Sequence, residues 1–324
     1  MRAADAERVV VTGGSGFIGW AVTKAFAARG AEVVVVDRNP PPADDERVST
    51  IIGDLNDPEV RLSVITEGTA GVIHCAAITS VLQSAGMPAE TYQANVANTA
   101  ELLELCRKHS VPRFLLASTN AVVGDVGEKT ITADMPLAPL TPYGATKAAG
   151  EMLLSGYAGA YGITASALRL TNVYGPGMKH KDSFVPRLMR AALSGDTVRI
   201  HGDGRQRRDL VYLDDVVAGV LRVWDSGFTG RAILGSGRSI SVLEMVETAR
   251  RVTGRLLPSE HIPAPRGEMP AVVVDLSASE RELGYHPTVS FAEGLAAVWQ
   301  DFLHDELHAD RRDSPELDSV IARS

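Results

Sequence analysis

Residues 9–19 read VVVTGGSGFIG, and the rest of the chain is organised around them. Val9–Val11 are three β-branched residues in a row, the pattern of a buried strand. Four glycines follow within seven positions, at Gly13, Gly14, Gly16 and Gly19. The run Phe17–Ala28 then carries apolar residues at helical spacing. A strand, a tight glycine turn and a helix N-terminus together form an anion site, because the helix end presents unpaired N–H groups at the positive end of its dipole. Gly13, Gly16, Phe17, Ile18 and Gly19 are the candidate contacts to a diphosphate.

The next stretch says which diphosphate. Glu32–Asp37, EVVVVD, is a continuous apolar run ending in a carboxylate, as expected of a parallel strand covered on both faces. Asp37 lies 18 residues beyond Gly19, close to the ~20 at which a dinucleotide fold places its ribose-binding acid. A carboxylate there accepts from both ribose hydroxyls and repels a 2′-phosphate, which favours NAD over NADP. Arg38 beside it softens that preference, and a solvated acid at a strand end is the alternative. Val48–Ile52 reads as a short strand leading into Gly53-Asp54-Leu55. Asp54 either meets the adenine amino group or caps the following helix. Gly71–Cys75 is a further strand opening into Ala76 and Ala77, small enough for a cofactor to lie against. His74, within an apolar run, reads as a core histidine.

Strands at Val111–Ala117 and Thr164–Leu170 and helices at Ala89–His109 and Thr141–Tyr161 continue the alternation. The fold expected is α/β, a Rossmann-type doubly wound parallel sheet with a smaller C-terminal α/β substrate lobe. Beyond Asn172 the pattern loosens. Tyr174–Ser183 reads as a loop, Phe184–Ser194, Asp214–Trp224, Val242–Thr253 and Phe291–Leu303 as helices, and Val198–Arg208, Ala232–Ser236 and Ala271–Asp275 as strand segments. Residues 1–172 with about 205–235 are assigned to the NAD-binding domain, 173–204 with 236–303 to the second lobe, and 304–324 to a charged, disordered tail.

Composition excludes several classes. The 324 residues are 45% hydrophobic and 22% charged, with a formal net charge of −8. That is a globular chain, and its acidity argues against a nucleic-acid partner. No segment reaches the ~18 apolar residues that a membrane span requires, and the polar Met1–Glu7 is no leader. A cytoplasmic enzyme is expected. Cys75 and Cys106 have neither disulfide nor metal spacing and read as small buried hydrophobes.

Tyr143 and Lys147 stand four apart in a helical stretch and so share a face. A phenol is a poor base at neutral pH. A nearby ammonium and an oxidised nicotinamide would stabilise its anion. Thr119, at a strand end, can offer a hydroxyl to the same substrate oxygen, giving a proton-transfer set beside a hydride acceptor. Tyr-x-x-x-Lys alone is as well explained by a surface helix pair, but a dinucleotide loop and a Ser-Thr strand end precede it here.

These residues, with TGGSGFIG at 12–19, His74-Cys75-Ala76-Ala77, Asn95-Val96, STNAVVG at 118–124, PYGATK at 142–147, RLTNVYGPG at 169–177, GDGRQRRDLVYLDD at 202–215 and RELGYHP at 281–287, resemble an extended short-chain dehydrogenase/reductase of the nucleotide-sugar epimerase/dehydratase group, most like UDP-hexose 4-epimerases. The resemblance implies Thr119, Tyr143 and Lys147 as the catalytic set and Asn95 among the cofactor contacts, with Lys147 also on the nicotinamide ribose. It implies Ser80, Thr119, Asn172, Arg208 and Arg266 at the nucleotide sugar. Arg266 sits one position nearer its glycine than the usual spacing, and Arg208 has Asp209 and Asp214 as alternative partners. Lys179 and Lys181 lie on an expected lid loop, where they meet phosphate or solvent.

Sugar 4,6-dehydratases carry an Asp-Glu pair after the catalytic Thr; here those places hold Asn120 and Ala121, which disfavours dehydration and, at Ala121, the related decarboxylases. Val123 replaces a usual Tyr. The expected activity is an NAD-dependent 4-epimerase on a UDP- or dTDP-hexose or hexuronic acid, through a 4-keto sugar. The alternatives are a net dehydrogenase or ketoreductase on a hydroxy substrate and a non-catalytic dinucleotide sensor. Leu102, Leu105, Met152, Leu153 and Tyr157 read as exposed apolar positions on the two long helices, which the resemblance pairs into a homodimer.

Overall fold

The computed structural model describes residues 6–264 and 271–312. The chain divides into two compact units. The first comprises Met1–Val173, Arg208–Ser239 and Met269–Thr288, and the second Tyr174–Arg207, Ile240–Glu268 and Val289–Ser324.

The first unit is built on a parallel sheet of seven strands. In chain order they are β1 (Arg8–Thr12), β2 (Glu32–Asp37), β3 (Val48–Ile52), β4 (Thr69–His74), β5 (Arg113–Thr119), β6 (Thr164–Leu170) and a seventh, Gly230–Leu234. In space β6 lies between the seventh strand and β5, followed by β4, β1, β2 and β3. The order reverses between β4 and β1, so the crevice for a ligand opens at the carboxyl ends of those two strands.

Side-chain alternation explains why the sheet is buried on both faces. Val9 and Val11 face one layer with Val33 and Val35, under helix α1 (Phe17–Ala28) and the helix Leu213–Ser226. Phe26 and Trp224 meet there edge to face at 5.0 Å. Val10, Val34 and Val72 face the other layer with Leu102, Leu103, Cys106 and Leu154. Truncating a fully buried ring such as Phe26 to Ala would cost about 3–5 kcal/mol.

The helix Pro142–Tyr161 starts at Thr141, whose side chain accepts the Gly144 N–H, and ends at Gly162 in the left-handed region (φ 71°). Proline at its first position suits a site that needs no N–H.

Several boundaries differ from the sequence reading. The helix expected over 89–109 is Pro88–Tyr92, a π turn Gln93–Ala97, and Asn98–Lys108. The bulge falls where the Asn95 side chain is gripped by the backbone of Ile78 (see below), a tertiary bond that periodicity cannot reveal. Leu102 and Leu105 are core residues, 0% and 6% exposed. Leu153 and Tyr157 pack partly against the same core, and only Met152 stands out, 58% exposed. The stretch 271–275 is not a continuous strand: only Ala271 and Val274 make isolated bridges, Val274 with Ile131. The last helix runs Phe291–Arg312 rather than stopping at Leu303, so the expected disordered tail begins inside it; residues 313–324 lie outside the described ones.

The second unit holds the helices Phe184–Ser194, Val242–Thr253 and Phe291–Arg312, packed on one another. They bury Leu188, Met189, Met245, Val246, Leu295 and Val298. Val198–His201 pairs in parallel with Ser259–Ile262, a strand the sequence reading missed.

Candidate active site

Except for Lys179 and Lys181, which belong to the second unit, the described candidate residues fall in the first unit. The glycine turn follows β1 at the point where the strand order reverses. Gly13 has φ +68°, and a Cβ there would stand 2.6 Å from the Ala76 nitrogen. A Cβ on Gly19 would stand 2.1 Å from the Gly13 carbonyl oxygen. The turn therefore closes against the Ala76–Ala77 segment only with glycine at both places. Gly16 caps α1 without a side chain, and the first turn of α1 carries no acid. That helix end is left receptive to an anion.

Asp37 sits beside this turn. Its carboxylate accepts the Ser15 N–H at 3.2 Å and the Asn39 N–H at 3.1 Å, while Gly13 donates its N–H to the Val36 carbonyl at 2.7 Å. The acid is thus oriented rather than free in solvent. Asp54 is exposed and accepts the Asn56 N–H at 2.9 Å; the helix Pro58–Val64 is capped by Asp57 instead. Asp54 is therefore not the cap of that helix. Leu55 beneath it is buried, and its carbonyl accepts from the Arg61 guanidinium. The glycine cradle, the uncapped helix end and the oriented Asp37 fit a dinucleotide whose adenine ribose carries free hydroxyls.

Asn95 is engaged within the protein. Only 1% exposed, it accepts the Ile78 N–H (2.8 Å) and donates to the Ile78 carbonyl (2.9 Å) and to the Thr146 hydroxyl (3.0 Å). Its side chain stitches the Ala76–Ile78 segment to the helix of Tyr143.

Thr119 ends β5, and Tyr143 and Lys147 lie one turn apart on the helix Pro142–Tyr161. The Thr119 hydroxyl accepts the Ala121 N–H at 3.2 Å. Burial pushes the Tyr143 phenol above its ordinary value, and the Thr119 side chain opposes part of that rise. The protein's own groups therefore do not deliver the lowering expected from the spacing of Tyr143 and Lys147. Lys147 is 2% exposed, and burial brings its ammonium down to about 8.

His74, at the end of β4, is the core histidine expected. It is fully buried between the hydroxyls of Thr12 (2.6 Å to Nδ1) and Thr99 (3.0 Å to Nε2). Thr99 gives its own proton to the Asn95 carbonyl (2.7 Å), so His74 carries its proton on Nε2 and accepts from Thr12. Burial, reinforced by Lys147, holds it down to about 3. Burial raises the thiols of Cys75 and Cys106 to about 11 and about 12, which makes both poor nucleophiles.

Of the residues expected at a substrate, Asn172 is exposed and donates to the Asp209 carbonyl at 2.9 Å. Arg208 is half-buried. The carboxylate of Asp209, its alternative partner, is held by the Ser236 N–H (2.8 Å) and hydroxyl (2.9 Å). Ser80 caps the short helix Val81–Gly86 by accepting from Gln83 N–H. Ser84 at the other end of that helix is the residue the sequence reading missed: it is 0% exposed and accepts the Tyr143 N–H. Nothing in its spacing singles it out. Arg266 lies outside the described residues. Lys179 is engaged by Asp301, 3.7 Å away, and lies over the Phe302 ring.

Asn120 follows Thr119 and is 7% exposed, yet neither its Oδ1 nor its Nδ2 has a hydrogen-bond partner. A buried amide with both ends unmet is costly in a resting core and suits a position that meets a ligand. Among the described residues no group of His, Cys, Asp and Glu is arranged to hold a metal, and no helix is long and apolar enough to cross a membrane.

Residues 9–234 match the NAD dependent epimerase/dehydratase family, and the chain belongs to it. Its cofactor is NAD, which the glycine cradle and Asp37 fit. Among relatives, it is 30% identical over 303 residues to a UDP-glucose 4-epimerase of Corynebacterium glutamicum, covering 86% of this chain and 91% of that one. It is equally 30% identical over 305 residues to a dTDP-glucose 4,6-dehydratase of Streptomyces niveus (89% and 90%). Among solved structures, MoeE5 in complex with UDP-glucuronic acid and NAD superposes with a TM-score of 0.85 at 32% identity, covering 92% of this chain and 99% of that one.

Proposed function

We propose that the chain is an NAD-dependent nucleotide-sugar 4-epimerase acting on a UDP- or dTDP-hexose or hexuronic acid. The observation that carries this is the placing of Thr119 at the end of β5 together with Tyr143 and, one turn further along its helix, a buried Lys147. Bound NAD supplies reversible hydride exchange at its nicotinamide. Tyr143 removes the proton from the sugar C4 hydroxyl, with Thr119 holding the same oxygen. Lys147 supports the phenolate and the nicotinamide ribose, and the positive charge of the oxidised ring offsets the burial that raises the phenol. The 4-keto sugar turns in place, and Tyr143 returns the proton as the opposite face is reduced.

The dehydratase relatives make the residues after Thr119 decisive. A C6 hydroxyl leaves as water only if an acid protonates it. Asn120 and Ala121 provide none. Asn172 and Arg208 serve the nucleotide diphosphate, for which an Arg fork is well suited, and two copies of the chain pair through the two long helices.

Incubation with UDP-glucose, UDP-glucuronic acid and dTDP-glucose, without added cofactor, tests this. The expected outcome is a 4-epimer with no accumulating NADH. Sustained NADH release, or loss of water from the sugar, overturns it. A monomeric mass by light scattering at micromolar concentration overturns the pairing.

A further inference from the structure

The helix that carries Tyr143 and Lys147 holds a third polar residue on the same face, Glu151, one turn further on. It is a buried carboxylate with three hydrogen-bond donors and a second ion pair. Its Oε1 accepts the Ser118 hydroxyl at 2.6 Å and Arg169 Nε at 3.0 Å; its Oε2 accepts Arg169 Nη2 at 2.8 Å and pairs with the Arg231 guanidinium, 3.1 Å away. The Glu151 and Arg169 side chains are 1% and 0% exposed. Arg169 also donates to the Ala133 carbonyl at 3.1 Å.

These partners come from three adjacent strands. Ser118 on β5 stands in register with Arg169 on β6, and Arg231 belongs to the seventh strand, β6's other neighbour. Each chemical group of the site is next to the cluster. Ser118 precedes Thr119 at the end of β5, and Glu151 lies one turn past Lys147. A fold needing only stability at this place would fill it with apolar side chains, since a buried ion pair is often no more stabilising than its apolar replacement. What the cluster supplies instead is a fixed distance between the end of β5 and one face of the helix.

We propose that the Ser118–Glu151–Arg169–Arg231 cluster is a positioning device for proton transfer, setting the approach of Thr119 to Tyr143 by tying β5 to the catalytic helix. Glu151 is a positioning residue. Releasing it lets Thr119 draw away from Tyr143. Thr119 opposes the rise of the phenol caused by burial, so its withdrawal moves the phenol further up. The other titratable groups at the site are Lys147 on the same helix and His74 and Cys75 at the end of β4, and the cluster touches none of them directly.

This inference rests on the proton-transfer reading of Thr119 and Tyr143, and the test separates the two. The phenolate absorbance of Tyr143 is titrated as the difference between the NAD-loaded protein and its Tyr143→Phe variant. The same difference is then taken in a Ser118→Ala background. Ser118→Ala removes one hydroxyl from the core and leaves the ion pair intact. The expected result is an upward shift of about 0.5 pH unit or more in the phenol, with a matching shift of the acid limb of kcat and a KM that hardly moves. Glu151→Gln, where it folds, moves both in the same direction. An unchanged phenol titration in Ser118→Ala, with only a lower melting temperature, overturns the proposal and leaves the cluster as structural. Retained turnover in Tyr143→Phe overturns the proton-transfer reading instead, whatever the titration gives.

Discussion

Ser84 accepts the backbone N–H of Tyr143 at 3.2 Å and passes its own proton to the Val81 carbonyl at 2.7 Å. Tyr143 is the second residue of its helix and so has no N–H partner within it. From the other side, the Thr146 hydroxyl donates to the Tyr143 carbonyl at 2.8 Å. The tyrosine's backbone is gripped at both ends before its side chain meets anything. Ser84→Ala leaves a buried donor unmet, at a cost of about 1–3 kcal/mol. It is expected to lower the free energy of unfolding by that amount and kcat by about tenfold. Chemical unfolding and initial rates on the same preparation check both.

Tyr143→Phe keeps the ring and removes the proton carrier. Turnover is expected to fall by about 10²–10⁴-fold, the usual worth of a positioned acid–base group, while NAD still copurifies. Loss of cofactor along with turnover would place the tyrosine in cofactor binding rather than proton transfer.

Asp37 bears on the choice of dinucleotide. Replacing it with Ser removes the charge that repels a 2′-phosphate. The Asp37→Ser variant is expected to shift the ratio of NAD to NADP affinity toward NADP by about tenfold, a loss of about 1.4 kcal/mol of discrimination. Calorimetric titration with each cofactor measures it.

His74 imposes an acid limit on stability. Its folded value is down at about 3 against an ordinary 6.5, so between these the unfolded chain binds a proton that the folded chain refuses. Stability then rises with pH across that window, and falls as pH drops from 6.5 toward 3, by up to about 1.4 kcal/mol per pH unit from this residue. Above 6.5 it contributes no slope. His74→Gln is expected to flatten the pH dependence of urea unfolding between pH 6 and about 4; an unchanged slope would refute the assignment.

Asn120→Asp places a carboxyl where both amide ends now lack partners. The variant is expected to lose about 1–3 kcal/mol of stability at neutral pH, recovering as the acid protonates. Alone it should produce no dehydrated sugar from dTDP-glucose, because Ala121 still provides no second acid. Product analysis by mass spectrometry decides that.

The sheet was legible because its strands announce themselves: Val9–Val11 and Glu32–Asp37 are apolar runs with few rivals, and Gly13 and Gly19 are placed where a Cβ has no room. The placement of Thr119 at a strand end and of Tyr143 and Lys147 on one helix was legible because that spacing is local. Ser84, Asn95 and the Glu151 cluster were not, since their partners lie up to 80 residues away (Glu151 and Arg231) and only the assembled sheet brings them together. Leu102 and Leu105 were misplaced for a related reason: an apolar helix face looks the same in sequence whether it meets a sheet or a second protein. The stretch 271–275 has a strand's composition but pairs only through isolated bridges, Val274 meeting Ile131.

The seventh strand has a consequence for synthesis. Gly230–Leu234 joins the sheet only after the chain has left the first unit for Tyr174–Arg207 and returned. A nascent chain that has emerged as far as residue 207 exposes β6 as a raw edge, open to pairing with another chain, and Arg231 is not yet there for Glu151. The ribosome thus delivers the cofactor-binding unit unfinished, and the interval before its last strand arrives is when this protein most needs chaperoning.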